Sequence, residues 1–290
     1  KVWEAAGGKI VSYVSEYDYQ YESDSVKELV DTGADAILVH PGDSYALAPA
    51  VKDAMEAGVP VFALDMGVIG TDVTSYIRAD QEELGRKCAE ATIKHFSAEN
   101  PANVLIIAGA MNQNGAQLRQ KGFEEGVADC PYVHIVHTVD TQWSNDLAFS
   151  GIQDLFISNP EINCVYCHAD FLMNGVLEGL KAQNKLIPNT EKGHIFLTTC
   201  DGDSIGNKAL KDGYLDLDAD LQCFMHTAVA VNAILTVLKG GEVNADYILP
   251  TNVVTAETAD DPNNWGSFLS GAIDQYPIYI EQDLCPLPKK

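Results

Sequence analysis

Short runs of apolar residues with few polar interruptions recur along this chain: Ala36-Ile-Leu-Val39, Val59-Pro-Val-Phe-Ala-Leu64, Val104 to Ala108 and Cys164-Val-Tyr-Cys167. A strand with one face in water alternates polar and apolar residues, so a strand that is apolar throughout is covered on both faces. Between these runs lie segments with apolar residues at helical spacing, such as Val26, Leu29 and Val30 ahead of a stop at Gly33. Strands covered on both faces and separated by helices define an α/β fold of doubly wound parallel sheets.

The rhythm runs twice. In the first half it predicts strands at Lys9 to Tyr17, Ala36 to His40, Val59 to Leu64 and Ser75 to Arg78, with helices at Ser23 to Thr32, Tyr45 to Ala57 and Gln81 to His95. Polar Ser97-Ala-Glu-Asn-Pro101 then breaks the pattern and reads as the first crossing between lobes. In the second half, strands are expected at Val104 to Ala108, Val133 to Val139, Cys164 to Cys167 and His194 to Thr199. Helices are expected at Gly115 to Val127, Asn145 to Ser158, Leu172 to Ala182 and Ser204 to Asp212. A chain of 290 residues with 46% apolar content supports two cores. The expected lobes are residues 1–99 with 223–252, and residues 100–222 with 253–290.

Corresponding strands of the halves end in polar groups, His40 and His168 in one pair, Asp65 and Asp201 in another. Ligands of doubly wound sheets bind beyond the carboxyl ends of the strands, so such residues in two lobes face one another across a cleft. The geometry is that of a clamp.

A formal net charge of -24, spread along the chain, repels phosphate backbones and anionic lipid head groups and argues against nucleic acid as a partner. Seven cysteines without regular spacing do not form a disulfide framework. Cys164 and Cys167 make a CxxC, but residues three apart on a strand point to opposite faces, which spoils a shared metal site. No stretch approaches the roughly 20 apolar residues of a membrane span, and Lys1-Val2-Trp3-Glu4 lacks a signal-peptide pattern.

Ordered landmarks add a resemblance. They are Asp35-Ala-Ile-Leu-Val-His-Pro-Gly-Asp43, Gly58-Val-Pro-Val-Phe-Ala-Leu-Asp65, Ala79-Asp80-Gln81 with Leu84-Gly85, Arg119-Gln-Lys-Gly-Phe123, and Cys200-Asp-Gly-Asp203 ahead of Leu210-Lys-Asp-Gly213. In this order the chain, from about residue 1 to 256, resembles the type I periplasmic binding proteins, in their ribose-like sugar-binding branch. The resemblance implies two lobes joined by three hinge strands, with a sugar or polyol held between them. It implies the extracytoplasmic solute-binding component of an ABC importer, in the periplasm or as a lipoprotein on the outer face of the membrane. It also implies a permease as partner, no cofactor, no catalysis and a monomeric state.

Carried over position by position, the resemblance makes Asp65 and Asp201 acceptors for sugar hydroxyls and Trp143 an aromatic against the sugar ring. It makes Gln222 a ligand-contacting glutamine, with Leu221 the competing choice. Met66 and Gln117 stand where ribose binders carry arginines, and Ala169 replaces an asparagine beside a retained Asp170. Arg119 reads as structural. Loss of both guanidinium forks implies a ligand held differently from ribose. The family's first strand has no counterpart before Trp3, and Gln275 to Glu281 reads as a strand beyond the usual end.

Other readings compete. The effector domain of a LacI-type regulator or a receptor for a sugar-like signal would share the fold, but a basic helix-turn-helix segment is lacking. A glycosidase would need two carboxylates at a set separation, and Asp65, Asp170 and Asp201 are the candidates. A metal site would draw on His40, Cys167, His168 and Asp170.

Overall fold

The apolar runs become the strands of two sheets in a computed structural model that describes residues 8–261 and 264–267. The chain begins with α1 (Tyr19–Asp31), β1 (Ile37–Val39), α2 (Ala48–Glu56), β2 (Val61–Leu64), β3 (Ser75–Ala79) and α3 (Gln81–His95). It continues with β4 (Ala102–Ala108), α4 (Asn114–Val127), β5 (Val133–Asp140), α5 (Asn145–Ser158), β6 (Cys164–Cys167), α6 (Met173–Ala182), β7 (Phe196–Asp201), α7 (Ser204–Lys211) and β8 (Leu217–Asp220). Then come α8 (Cys223–Leu238), β9 (Asp246–Leu249) and β10 (Asn252–Val254).

The first sheet has the order β1-β2-β3-β9 and is parallel throughout. The second has the order β10-β8-β7-β6-β4-β5, with only β10 antiparallel. Each sheet is covered on both faces, as its apolar strands require. Val26, Leu47 and Val51 cover one face of the first sheet, and Val229, Ala230 and Ala233 of α8 the other. In the second, Ile152, Val176 and Leu210 pack beside Leu105 and Val165, while Leu84, Cys88 and Phe123 pack beside Val104 and Ile106. Cys164 belongs to the latter layer and Cys167 to the former, so the CxxC thiols lie on opposite faces.

Several boundaries move. Lys9 to Tyr17 is not a strand: Ile10, Val11 and Val14 are exposed, and β1 is the edge of its sheet. An extended segment gains its hydrogen bonds only from a neighbouring strand, and none among the described residues pairs with this one. The first helix starts earlier than expected because Asp18 caps it, accepting from the Tyr21 amide at 3.0 Å. The second starts later, at Ala48, with Pro49 in its first turn. The expected strand at Gln275 to Glu281 lies outside the described residues.

The larger difference concerns α3. The first crossing was expected at Ser97 to Pro101, yet Leu84, Cys88 and Ala89 pack into the core of the second sheet. A Cβ at Gly85 would strike the Arg119 carbonyl, and one at Gly122 the Glu82 carbonyl. The bare backbones of α3 and α4 therefore lie directly against each other. By packing, the chain crosses before α3, next to Asp80.

Candidate functional site

The strand ends meet where the two sheets face each other. Asp65 follows β2 with φ 59°, and Asp201 ends β7 with φ 124°. Both lie in backbone territory that L-residues rarely occupy, at an expense of about 1–3 kcal/mol each, and such outliers concentrate at functional sites. Gln142, Trp143 and Gln222 share the feature, with φ of 48°, 60° and 55°.

A polar chain joins the two aspartates. His40 Nε2 lies 3.2 Å from one Asp65 oxygen, and Gln81 Nε2 donates to the other at 2.7 Å. Arg119 Nε donates to Gln81 Oε1 at 2.7 Å, and its Nη1 pairs with Asp201 at 2.8 Å while also donating to the His168 carbonyl. The Arg119 side chain is 2% exposed, whereas those of Asp65 and Asp201 keep 18% and 17%. Both carboxylates thus retain accessible acceptor surface.

Burial opposes the charge of Asp65, but the hydrogen bond and charge of His40, with Arg119 and His226 nearby, hold it well below the usual carboxylate range. Burial also opposes the His40 imidazolium, yet Asp65 prevails and raises its pKa. Burial with Asp65 and Asp203 nearby pushes Asp201 up to about 7 against the pull of Arg119. His168 is kept neutral, pushed down to about 3 by burial and Arg119, and its Nδ1 accepts from the Gly109 amide at 3.2 Å.

The remaining predicted residues fall around this chain in unequal ways. Met66 is buried with its sulfur against Gly115. Gln117 donates to the Met111 carbonyl at 2.8 Å and accepts from the Tyr45 hydroxyl at 3.4 Å. Ala169 is buried beyond β6. Trp143 is half-buried over Gly109, where any Cβ would fall within the indole; its Nε1 donates to Gln113 at 2.6 Å. Gln222 occupies a crossing segment and donates to the Pro250 carbonyl, while its neighbour Leu221 is buried.

Asp170 points elsewhere. It accepts from the Asp203 amide at 2.6 Å and lies beside Asp218, which accepts from the Gly202 amide at 3.0 Å. A Cβ at Gly206 would strike both carboxyls, so its absence lets them approach. Burial and the adjacent acids push both carboxyls far above the usual range. Such groups stay protonated in the folded state while ionised in the unfolded chain, so stability falls as pH rises above about 4. Asp218→Asn should therefore raise thermal stability more at about pH 8 than at about pH 5; thermal unfolding at both values checks it, and an equal or negative shift at the higher pH contradicts it.

Sequence reasoning missed two groups. Arg119 reads as structural from the sequence, and its buried guanidinium lies between Gln81 and Asp201, a link between the two aspartates that the sequence does not show. Its position on an amphipathic helix gave no sign of which buried end it serves. The second is Asn112-Gln113-Asn114, which ties the second lobe to the first. Asn112 donates to Asp43 at 2.8 Å, Gln113 to the Gly42 carbonyl at 2.9 Å, and Asn114 accepts from the Gly67 amide at 2.9 Å. Three successive amides ahead of a helix were the only available signal. Among the described residues, no group of three or more His, Cys, Asp or Glu is arranged to hold a metal ion.

Comparison with known proteins agrees with this fold. The family described as periplasmic binding protein domain matches residues 2–242. The ribose import binding protein RbsB of Salmonella typhimurium is 28% identical over 86% of this chain and 80% of its own length. The xylitol-binding protein of Mycolicibacterium smegmatis is 24% identical, over 89% and 69%. In fold, the chain is similar to a Mycobacterium smegmatis structure in complex with β-D-fucofuranose, with TM-score 0.85, 21% identity and coverage of 96% and 90%. It is also similar to the Caulobacter myo-inositol binding protein, with TM-score 0.81, 21% identity and coverage of 91% and 88%. The family match spans most of the chain and the solved structures share its two-sheet architecture: this protein belongs to the periplasmic binding protein family.

Proposed function

We propose that the chain is the extracytoplasmic solute-binding component of an ABC importer and closes on a small sugar or polyol between its lobes. The observation that carries this reading is the pair Asp65 and Asp201, one from each lobe, both at positive φ and linked through Gln81 and Arg119. Polyhydroxy compounds need acceptors for hydroxyl protons and donors for hydroxyl oxygens. An ionised carboxylate accepts several hydrogen bonds, and guanidinium, amide and imidazole N–H groups donate. Relatives named for ribose and xylitol, and similar structures with fucofuranose and myo-inositol, favour the same ligand class.

The protein acts by binding and catalyses no reaction. The hydrogen bonds that Asn112 and Gln113 donate to the first lobe, and that Asn114 accepts from it, support a closed state that a ligand would favour by bridging the same two surfaces. A monomer delivering its ligand to a membrane permease completes the reading.

Thermal unfolding with D-ribose, D-allose, D-fucose, xylitol and myo-inositol tests it. A ligand at 100 times its dissociation constant stabilises by about 2.7 kcal/mol, which is readily seen as a shift in Tm. At least one of the five is expected to raise Tm in a saturable manner. No shift with any of them at high concentration would refute the sugar-binding reading.

A further inference from the structure

Asp201 occupies a backbone conformation that its own residue type disfavours, so other contacts must hold it there. Its side chain has Arg119, and its carbonyl accepts from the Leu221 amide at 3.2 Å. A second donor to that carbonyl comes from far along the chain. Trp265 Nε1 donates to the Asp201 carbonyl at 2.7 Å. Trp265 lies beyond residue 242, outside the segment that matches the family.

The segment bearing Trp265 is built against the turn after β7. The Ala259 carbonyl accepts from Asn207 of α7 at 2.7 Å and from Ser267 at 3.0 Å. Lys211 pairs with Asp260 at 2.7 Å. Gly266 lies so close to the Gly202 and Asp203 carbonyls that a Cβ there would strike both. The far side of the turn is equally constrained, since Gly202 and Asp203 donate their amides to Asp218 and Asp170. The turn that aims Asp201 is thus clamped between a buried carboxyl pair and the segment carrying Trp265.

The indole also reaches across the crossing between lobes. Its ring meets Phe224 edge to face, with centroids 5.8 Å apart. Phe224 stands in the first turn of α8, the helix that packs on the first sheet. One side chain therefore touches both the ligand-side turn of the second lobe and the first lobe's helix.

The geometry points to Trp265 as a positioning residue that holds the Asp201 turn in its binding conformation and couples it to the hinge. The proposal rests on the reading of Asp201 as a ligand acceptor. A bond of this kind that is lost costs roughly three- to tenfold in affinity.

The test uses Trp265→Phe, which keeps a ring beside Phe224 and removes the N–H, with Trp265→Ala as the larger change. Affinity is measured by calorimetry for whichever of the five sugars and polyols binds the unaltered protein most tightly. Amide resonances of Gly202 and Asp203 are recorded without ligand. Trp265→Phe is expected to shift those two resonances, weaken binding about three- to tenfold and leave Tm nearly unchanged. Combined with Asp201→Asn, it should add little further loss, because the group it positions is already altered. Unmoved Gly202 and Asp203 resonances, or unchanged affinity in Trp265→Phe, overturn the proposal. If none of the five compounds binds the unaltered protein, the sugar reading of the cleft fails, and the ligand-free resonances still decide whether Trp265 holds the turn.

Discussion

Replacing Arg119 by Met is expected to lower the unfolding free energy by about 3–5 kcal/mol, the range for removing one partner of a buried ion pair. Burial opposes the guanidinium charge, but Asp201, with Cys200 and Asp65 nearby, outweighs it and raises the Arg119 pKa. Met has a stem of similar length but no donor. Gln81 Oε1, the His168 carbonyl and Asp201 would each lose the donor they now share. The penalty comes mainly from acceptors stranded away from water. Asp201→Asn in the same protein removes the stranded charge, so the double variant should regain part of the loss. Urea unfolding of the three proteins measures this, and a loss below about 1 kcal/mol in Arg119→Met would show that water replaces the guanidinium at little expense.

Asp65→Ala is expected to weaken sugar binding by about 30- to 1000-fold, equivalent to roughly 2–4 kcal/mol. The loss combines a charged acceptor with a ligand hydroxyl left unpaired in the closed cleft. Its structural consequences are milder than at Arg119. His40 is half open to solvent and Gln81 keeps its Oε1 bond to Arg119, so the one buried group that loses its partner is Gln81 Nε2. Calorimetry should therefore show a large change in affinity with a modest change in Tm. Equal affinity in well-folded Asp65→Ala would remove this residue from the site. Asp65→Asn separates charge from shape, since the amide keeps one acceptor oxygen while losing the attraction that raises His40.

Much of the fold was legible because burial leaves a local mark. A strand covered on both faces has to be apolar at successive positions, and Val104 to Ala108 and Cys164 to Cys167 declare themselves in that way. Helix ends are marked as locally: Asp203 caps α7 by accepting from the Ile205 and Gly206 amides. Lys9 to Tyr17 shows the limit of such reasoning. Its composition suits a strand, but strand formation depends on a partner, and partnership is not a property of the segment itself.

What the sequence determined by itself is the succession of elements and the polar residues that end their strands, Asp65 and Asp201 among them, because both follow from short-range patterns of burial. The tertiary structure alone decided what those residues face. Arg119 enters the site because α3 and α4 touch at Gly85 and Gly122, which turns one guanidinium toward Gln81 and Asp201. Asp170 is drawn into a carboxyl pair because Gly206 leaves room for Asp218. Trp265 reaches Asp201 across 64 residues of chain. In each case the deciding quantity is a close approach between segments distant in sequence, set by the small volume of a glycine or the reach of one side chain, and no local pattern encodes it.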